Sequence, residues 1–130
     1  MKNLRDLVRE CAITVRALDP KGYPENEVGY FRMYNKDGRW WGTAFPVHSE
    51  LLVGDIIHEF DDVINSFRDS FKSLSDLCKF CRDKGYTRHD WDSHDRFIFH
   101  LITDLAIYRF DVRDYPGDYH VYLHCYAKEG

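Results

Sequence analysis

The stretch Leu51–Gly85, LLVGDIIHEFDDVINSFRDSFKSLSDLCKFCRDKG, decides the fold. Apolar residues at Ile56, Ile57, Phe60, Val63, Ile64, Phe67 and Phe71 return at intervals of three and four, which places them on one face of an α-helix. Asp55 stands where a carboxylate would cap the first N–H groups and suit the helix dipole. Ser73, with Asp76 three residues on, has the spacing of a capping box and opens a second helix. Leu74, Leu77, Cys78 and Cys81 make its apolar face. Arg82 and Lys84 fall in its last turn, and Gly85 ends it.

Outward from this pair the pattern changes. Val28–Tyr34 and Arg39–Val47 read as a β-hairpin around Asn35-Lys36-Asp37-Gly38, with Gly38 free to take positive φ. Phe31 and Met33 would share one side, and Tyr30, Arg32 and Tyr34 the other. Trp40 and Trp41 are adjacent and so point to opposite faces. Pro46 ends the strand or marks an edge. Beyond Gly85, residues Tyr86–Asp95 read as a polar loop, Phe97–Ile102 and Leu105–Arg113 as strands, and Asp114–Asp118 as a turn. Tyr119–Ala127 closes the sheet. Val121, Leu123 and Cys125 would face inward, and His120, Tyr122, His124 and Tyr126 outward. At the N-terminus Leu4, Leu7, Val8 and Cys11 fit a helix running on toward Asp19, although Ile13, Val15 and Ala17 fit a strand equally well. Pro20, Gly22 and Pro24 force a loop. Strands and helices come in runs, without βαβ alternation. The expected fold is therefore α+β: a single domain, residues 1–130, with an antiparallel sheet of about four to six strands. The two central helices and an N-terminal helix would pack on one of its faces.

Composition narrows the function classes. A chain of 130 residues that is 44% hydrophobic supports one real core. The net charge of −4 argues against a simple duplex binder, which needs a basic footprint to displace counterions. Direct nucleic-acid contact is disfavoured on that ground. The acidity is uneven: residues 48–85 and 86–130 each carry five basic and eight acidic side chains. Met1–Glu10 is charged, so no export signal is expected, and no apolar run approaches the roughly 20 residues of a membrane span. The four cysteines, Cys11, Cys78, Cys81 and Cys125, then read as reduced core residues of a cytoplasmic protein.

Several groupings resemble chemical sites. His58-Glu59 opens like the H-E-x-x-H zinc motif, but Asp62 replaces the second His, and a solvated helix turn is the commoner reading. Cys78-x-x-Cys81 with His89 and His94 has the residues of a zinc finger. Here, however, the pair sits within a helix on its core face, so buried cysteines are expected and no metal or cofactor is assigned. His89, Asp90, Asp92, His94 and Asp95 pack five ionisable groups into seven residues. They are the candidate catalytic cluster of a small metal-dependent hydrolase or nuclease. His120, Tyr122, His124 and Tyr126 line one strand face and could stack on bases of single-stranded RNA. Asp55, Glu59, Asp62, Ser66 and Asp69 form an acidic stripe opposite the apolar helix face, a strip a basic partner could read.

The ending Gly117-Asp118-Tyr119-His120-Val121-Tyr122-Leu123-His124-Cys125-Tyr126, with Ser73-Leu74-Ser75-Asp76-Leu77-Cys78-Lys79-Phe80-Cys81, resembles small proteins carried by bacterial phages and mobile elements. The resemblance covers under half the chain, includes no catalytic motif and carries over no residue role. It implies a setting in which small acidic proteins block host defence, anti-CRISPR proteins among them. The expectation is thus a non-enzymatic inhibitor that binds a host complex handling nucleic acid. Its contacts would be Asp55, Glu59, Asp62 and Asp69, with Trp40, Tyr122 and His124 as aromatic anchors.

Overall fold

The computed structural model describes residues 3–9, 25–52, 54–89, 95–115 and 118–128. It shows one antiparallel sheet with helices on one face, an α+β fold. The elements run α1 (Leu4–Leu7), β1 (Glu27–Lys36), β2 (Arg39–Pro46), a 3-10 turn at Ser49–Leu51, α2 (Asp55–Ser70), α3 (Leu74–Lys84), β3 (Thr87–His89), β4 (Asp95–Ile102), β5 (Ala106–Tyr115) and β6 (Asp118–Ala127). The six strands are ordered β2-β1-β6-β5-β4-β3. The chain leaves the sheet at edge strand β2, crosses one face as α2 and α3, and re-enters at the opposite edge.

Local chemistry explains most boundaries. The β1–β2 hairpin closes on two residues, Asp37 and Gly38, both with positive φ (54° and 74°). That backbone matches the twist of the flanking strands. Ser73 accepts a hydrogen bond from the Asp76 amide at 3.1 Å and caps α3, and Gly85 ends it in the left-handed conformation. The expected Asp55 cap is corrected: Gly54 occupies the cap position, Asp55 is the first helical residue, and no side chain caps α2. Phe71 is also displaced from its expected place. The helix stops at Ser70, and Phe71 follows in extended backbone, fully buried.

The N-terminal helix is shorter than expected. It ends at Leu7, and Arg9 exchanges backbone hydrogen bonds with His100 of β4. The rest of the expected helix, toward Asp19, lies outside the described residues. Arg5 fastens α1 to the other helices by donating to the Ser70 carbonyl and the Asp76 carboxylate, with its guanidinium over the Phe71 ring. The expected polar loop is also shortened, because Thr87–His89 pairs with β4 as a short edge strand.

The core is an aromatic column between helices and sheet. Phe99 stacks on Phe110 (4.6 Å between centroids), Phe110 on Phe67 (5.6 Å), and Trp40 meets Phe67 edge-on (5.2 Å). Val121, Leu123 and Cys125 of β6 face this column and are fully buried, as their alternation predicts. Burying each large apolar side chain contributes roughly 1.5–3 kcal/mol. An exposed ion pair such as Arg82–Asp95 contributes about 0–1 kcal/mol. Packing, more than charge, therefore holds the helices to the sheet. Gly42 of β2 serves the same packing, since a Cβ there would lie 2.1 Å from the Phe31 ring.

Candidate binding face

The second face of the sheet carries no helix among the described residues, and its side chains fall into rows across the strands. One row is Phe45, Tyr30, His124, Arg109 and His100, read from β2 to β4. The next is Thr43, Arg32, Tyr122, Asp111 and Ile98. A third is Trp41, Tyr34, His120, Arg113 and Arg96. Lys36 and Arg39 extend the third row's side at the hairpin end. These rows follow from the period of two along each strand.

The face divides into a buried polar half and an exposed aromatic half. Glu27, His100, Arg109 and Asp111 are all buried, and all belong to this face. Arg96 grips Asp111 with two hydrogen bonds, at 2.9 and 2.6 Å, and Arg113 lies 3.4 Å away. Burial pushes the Asp111 carboxyl up, but the Arg96 hydrogen bonds and the charges of Arg96, Arg113 and Arg109 outweigh it. The carboxyl is left below the ordinary range. Burial likewise lowers Arg109, against the pull of Asp111. His124 Nδ1 sits 2.8 Å from Glu27 Oε1. Tyr126, expected on the outward face, is only 1% exposed and stacks on His124.

Toward β1 and β2 the surface opens. Tyr34, Trp41 and Phe45 are among the most exposed large apolar side chains described. Tyr34 and Trp41 are paired across the hairpin, and neither ring contacts another aromatic ring among the described residues. Two clefts meet at Tyr34. One, about 370 Å³, is lined by Arg32, Tyr34, Thr43, Phe45 and His120. The other, about 530 Å³, is lined by Tyr34, Lys36, Asp37, Arg39 and Trp41. Arg32 bonds His120 Nε2 at 2.8 Å and lies over the Tyr122 ring, and Arg113 lies over the same ring.

The other candidates from sequence scatter. Trp40 faces the helices and donates Nε1–H to the Phe71 carbonyl, so the exposed indole is its neighbour Trp41. On α2, Asp55, Asp62 and Asp69 are exposed, as is His58. Glu59 turns inward and accepts hydrogen bonds from Thr103 and Tyr108, so it leaves both the stripe and the zinc-like motif. Cys78 and Cys81 are buried free thiols. Burial, with the Asp114 charge, pushes Cys78 up to about 12, and burial raises Cys81 as well. Of the His/Asp cluster, Asp95 pairs with Arg82, which also holds Asp114. The backbone of His89 lies in β3, while Asp90, Asp92 and His94 lie outside the described residues. Among the described residues, no group of three or more His, Cys, Asp or Glu side chains could hold a metal ion. No helix described is long and apolar enough to cross a membrane.

Sequence reasoning missed Tyr34, Trp41, Arg32, Lys36 and Arg39 as one surface. Their signal was present in the hairpin register, which aligns residues on either side of Asp37-Gly38. The protein is thus an α+β single sheet with a helical face and an aromatic, arginine-bearing face. Comparison with protein-family models, curated proteins and solved structures finds no match to this chain.

Proposed function

We propose that this chain is a non-catalytic binding protein, an inhibitor that engages a nucleic-acid-handling defence complex of a bacterial host. The observation that supports it is the exposed Tyr34–Trp41 pair, set among Arg32, Lys36 and Arg39 on the sheet face away from the helices. Tyr, Trp and Arg supply most of the energy in macromolecular interfaces, because rigid rings and a planar guanidinium give large contact area at low entropic cost. The phage-like character of the two segments named above suggests the setting.

The acidic side of α2 fits the same role as a second contact. Asp55, Asp62 and Asp69 are exposed and have no ion-pair partner among the described residues, so a basic protein surface could pair with them. Phage plaquing provides the test. The intact chain would be expressed in bacteria whose nuclease-based immunity restricts a phage. Plaquing should rise with the intact chain and fall back with the Tyr34→Ala/Trp41→Ala variant. No rise in hosts carrying CRISPR-type or restriction immunity would sink the inhibitor reading.

A further inference from the structure

We infer that the Tyr34–Trp41 platform binds single-stranded nucleic acid directly, an inference that rests on the reading of this face as the working surface. The net charge of the chain counts against nucleic acid only while charge is averaged over the molecule. In this fold it is segregated. Among the residues whose side chains are described, the second sheet face and its hairpin end carry Arg32, Lys36, Arg39, Arg96, Arg109 and Arg113 against Glu27, Asp37 and Asp111. Glu27 and Asp111 are buried, Glu27 against His124 and Asp111 against Arg96. The exposed carboxylates Asp55, Asp61, Asp62 and Asp69 belong to α2, which packs on the opposite face.

The geometry selects a single strand over a duplex. Two aromatic rings on paired strands stand exposed where unstacked bases could lie on them. Duplex bases are already stacked and offer no face to such rings. The two clefts flank Tyr34, with Arg32 and His120 in one and Lys36, Asp37 and Arg39 in the other. Arg32, Lys36 and Arg39 lie where a phosphate backbone would run past the rings. Arg113 and Arg96 continue the same row beyond His120. Stacking accepts any base, so the binding would tolerate sequence.

Fluorescence anisotropy of short labelled oligo(U) and oligo(dT), titrated with the intact chain, tests this. Binding should appear at low salt, exceed that of a duplex of equal length, and weaken as salt rises. The expected slope of log affinity against log salt is about −0.7 per phosphate neutralised. Tyr34→Ala/Trp41→Ala should weaken binding about tenfold or more. Lys36→Glu/Arg39→Glu should lower both affinity and slope, and Lys79→Glu on α3 should change neither. Circular dichroism of each variant checks that the fold is intact. Absence of binding at low salt, equal binding to duplex, or binding indifferent to the ring variants overturns the inference. If oligonucleotides fail while the ring variants still abolish phage protection, the face remains the working surface and its occupant is a protein. If both fail, the binding-face reading falls with the inference.

Discussion

Trp40 and Trp41 are neighbours in sequence and serve opposite sides of the sheet. Trp40 donates to the Phe71 carbonyl at 2.5 Å and meets Phe67 edge-on, while Trp41 stands 50% exposed on the other face. Their replacements should therefore separate. Trp40→Ala should cost about 2–4 kcal/mol, somewhat below a fully buried ring because Trp40 is half-buried. Trp41→Ala should stay within about 0.5 kcal/mol of the parent, as exposed positions do. Urea unfolding of the two variants checks this, and similar losses in both would contradict the division of labour.

Glu59 sits at the spacing of an acidic stripe and behaves differently from its companions. Tyr108 is fully buried and donates its hydroxyl to Glu59 at 2.8 Å. Glu59→Ala removes that acceptor and should destabilise the fold by roughly 1–3 kcal/mol. Asp55→Asn, Asp62→Asn and Asp69→Asn should each change stability by less than about 0.5 kcal/mol. Thermal melts of the four variants at neutral pH provide the comparison.

Asp111 should set part of the acid limit. Its folded carboxyl titrates below the ordinary value of about 3.9. Its stabilisation is therefore complete at neutral pH and is lost as pH falls below ~4 and through the folded value. Asp111→Asn should cost about 3–5 kcal/mol at pH 7, because Arg96 and Arg113 lose a buried counter-charge. The variant should also show a flatter stability profile between neutral pH and ~3. A profile parallel to the parent's would remove Asp111 from the acid response.

The thiols of Cys78, Cys81 and Cys125 should be inert in the folded protein. All three are buried, and burial first of all pushes Cys78 and Cys125 up to about 12. Little thiolate is then present near neutral pH, and thiolate is the reactive form. Alkylation at pH 8 followed by peptide mapping should leave these three unmodified until denaturant is added. Rapid native modification of Cys78 or Cys81 would reopen a redox or metal role for the pair.

Sequence made the helices and long strands legible because each buries one face, and burial imposes a period. The apolar repeat of α2 and the alternation in β5 and β6 are direct records of that burial. The second sheet face was harder to read. Its buried polar residues are Glu27, His100, Arg109 and Asp111; Glu27 meets His124 and Asp111 meets Arg96, partners distant in sequence, so no local pattern marks them. Glu59 was hidden for the same reason, since Thr103 and Tyr108 lie more than forty residues away. Residues Thr87–His89 were too few to show alternation. The basic surface was masked by a net charge that sums two unlike sides.

The strand order has a consequence for how the chain is made. Strand β6 lies between β1 and β5, and Glu27 pairs with Tyr126 across almost the whole described length. The last of the six strands to leave the ribosome is therefore one at the middle of the sheet. Until it arrives, the β1–β2 hairpin and the β4–β5 hairpin have no strand to join them, and their apolar sides wait unpaired. Pairings between such distant segments carry a large loop-closure cost and slow folding. The nascent chain must stay soluble as two separate halves before a single late insertion makes it one protein.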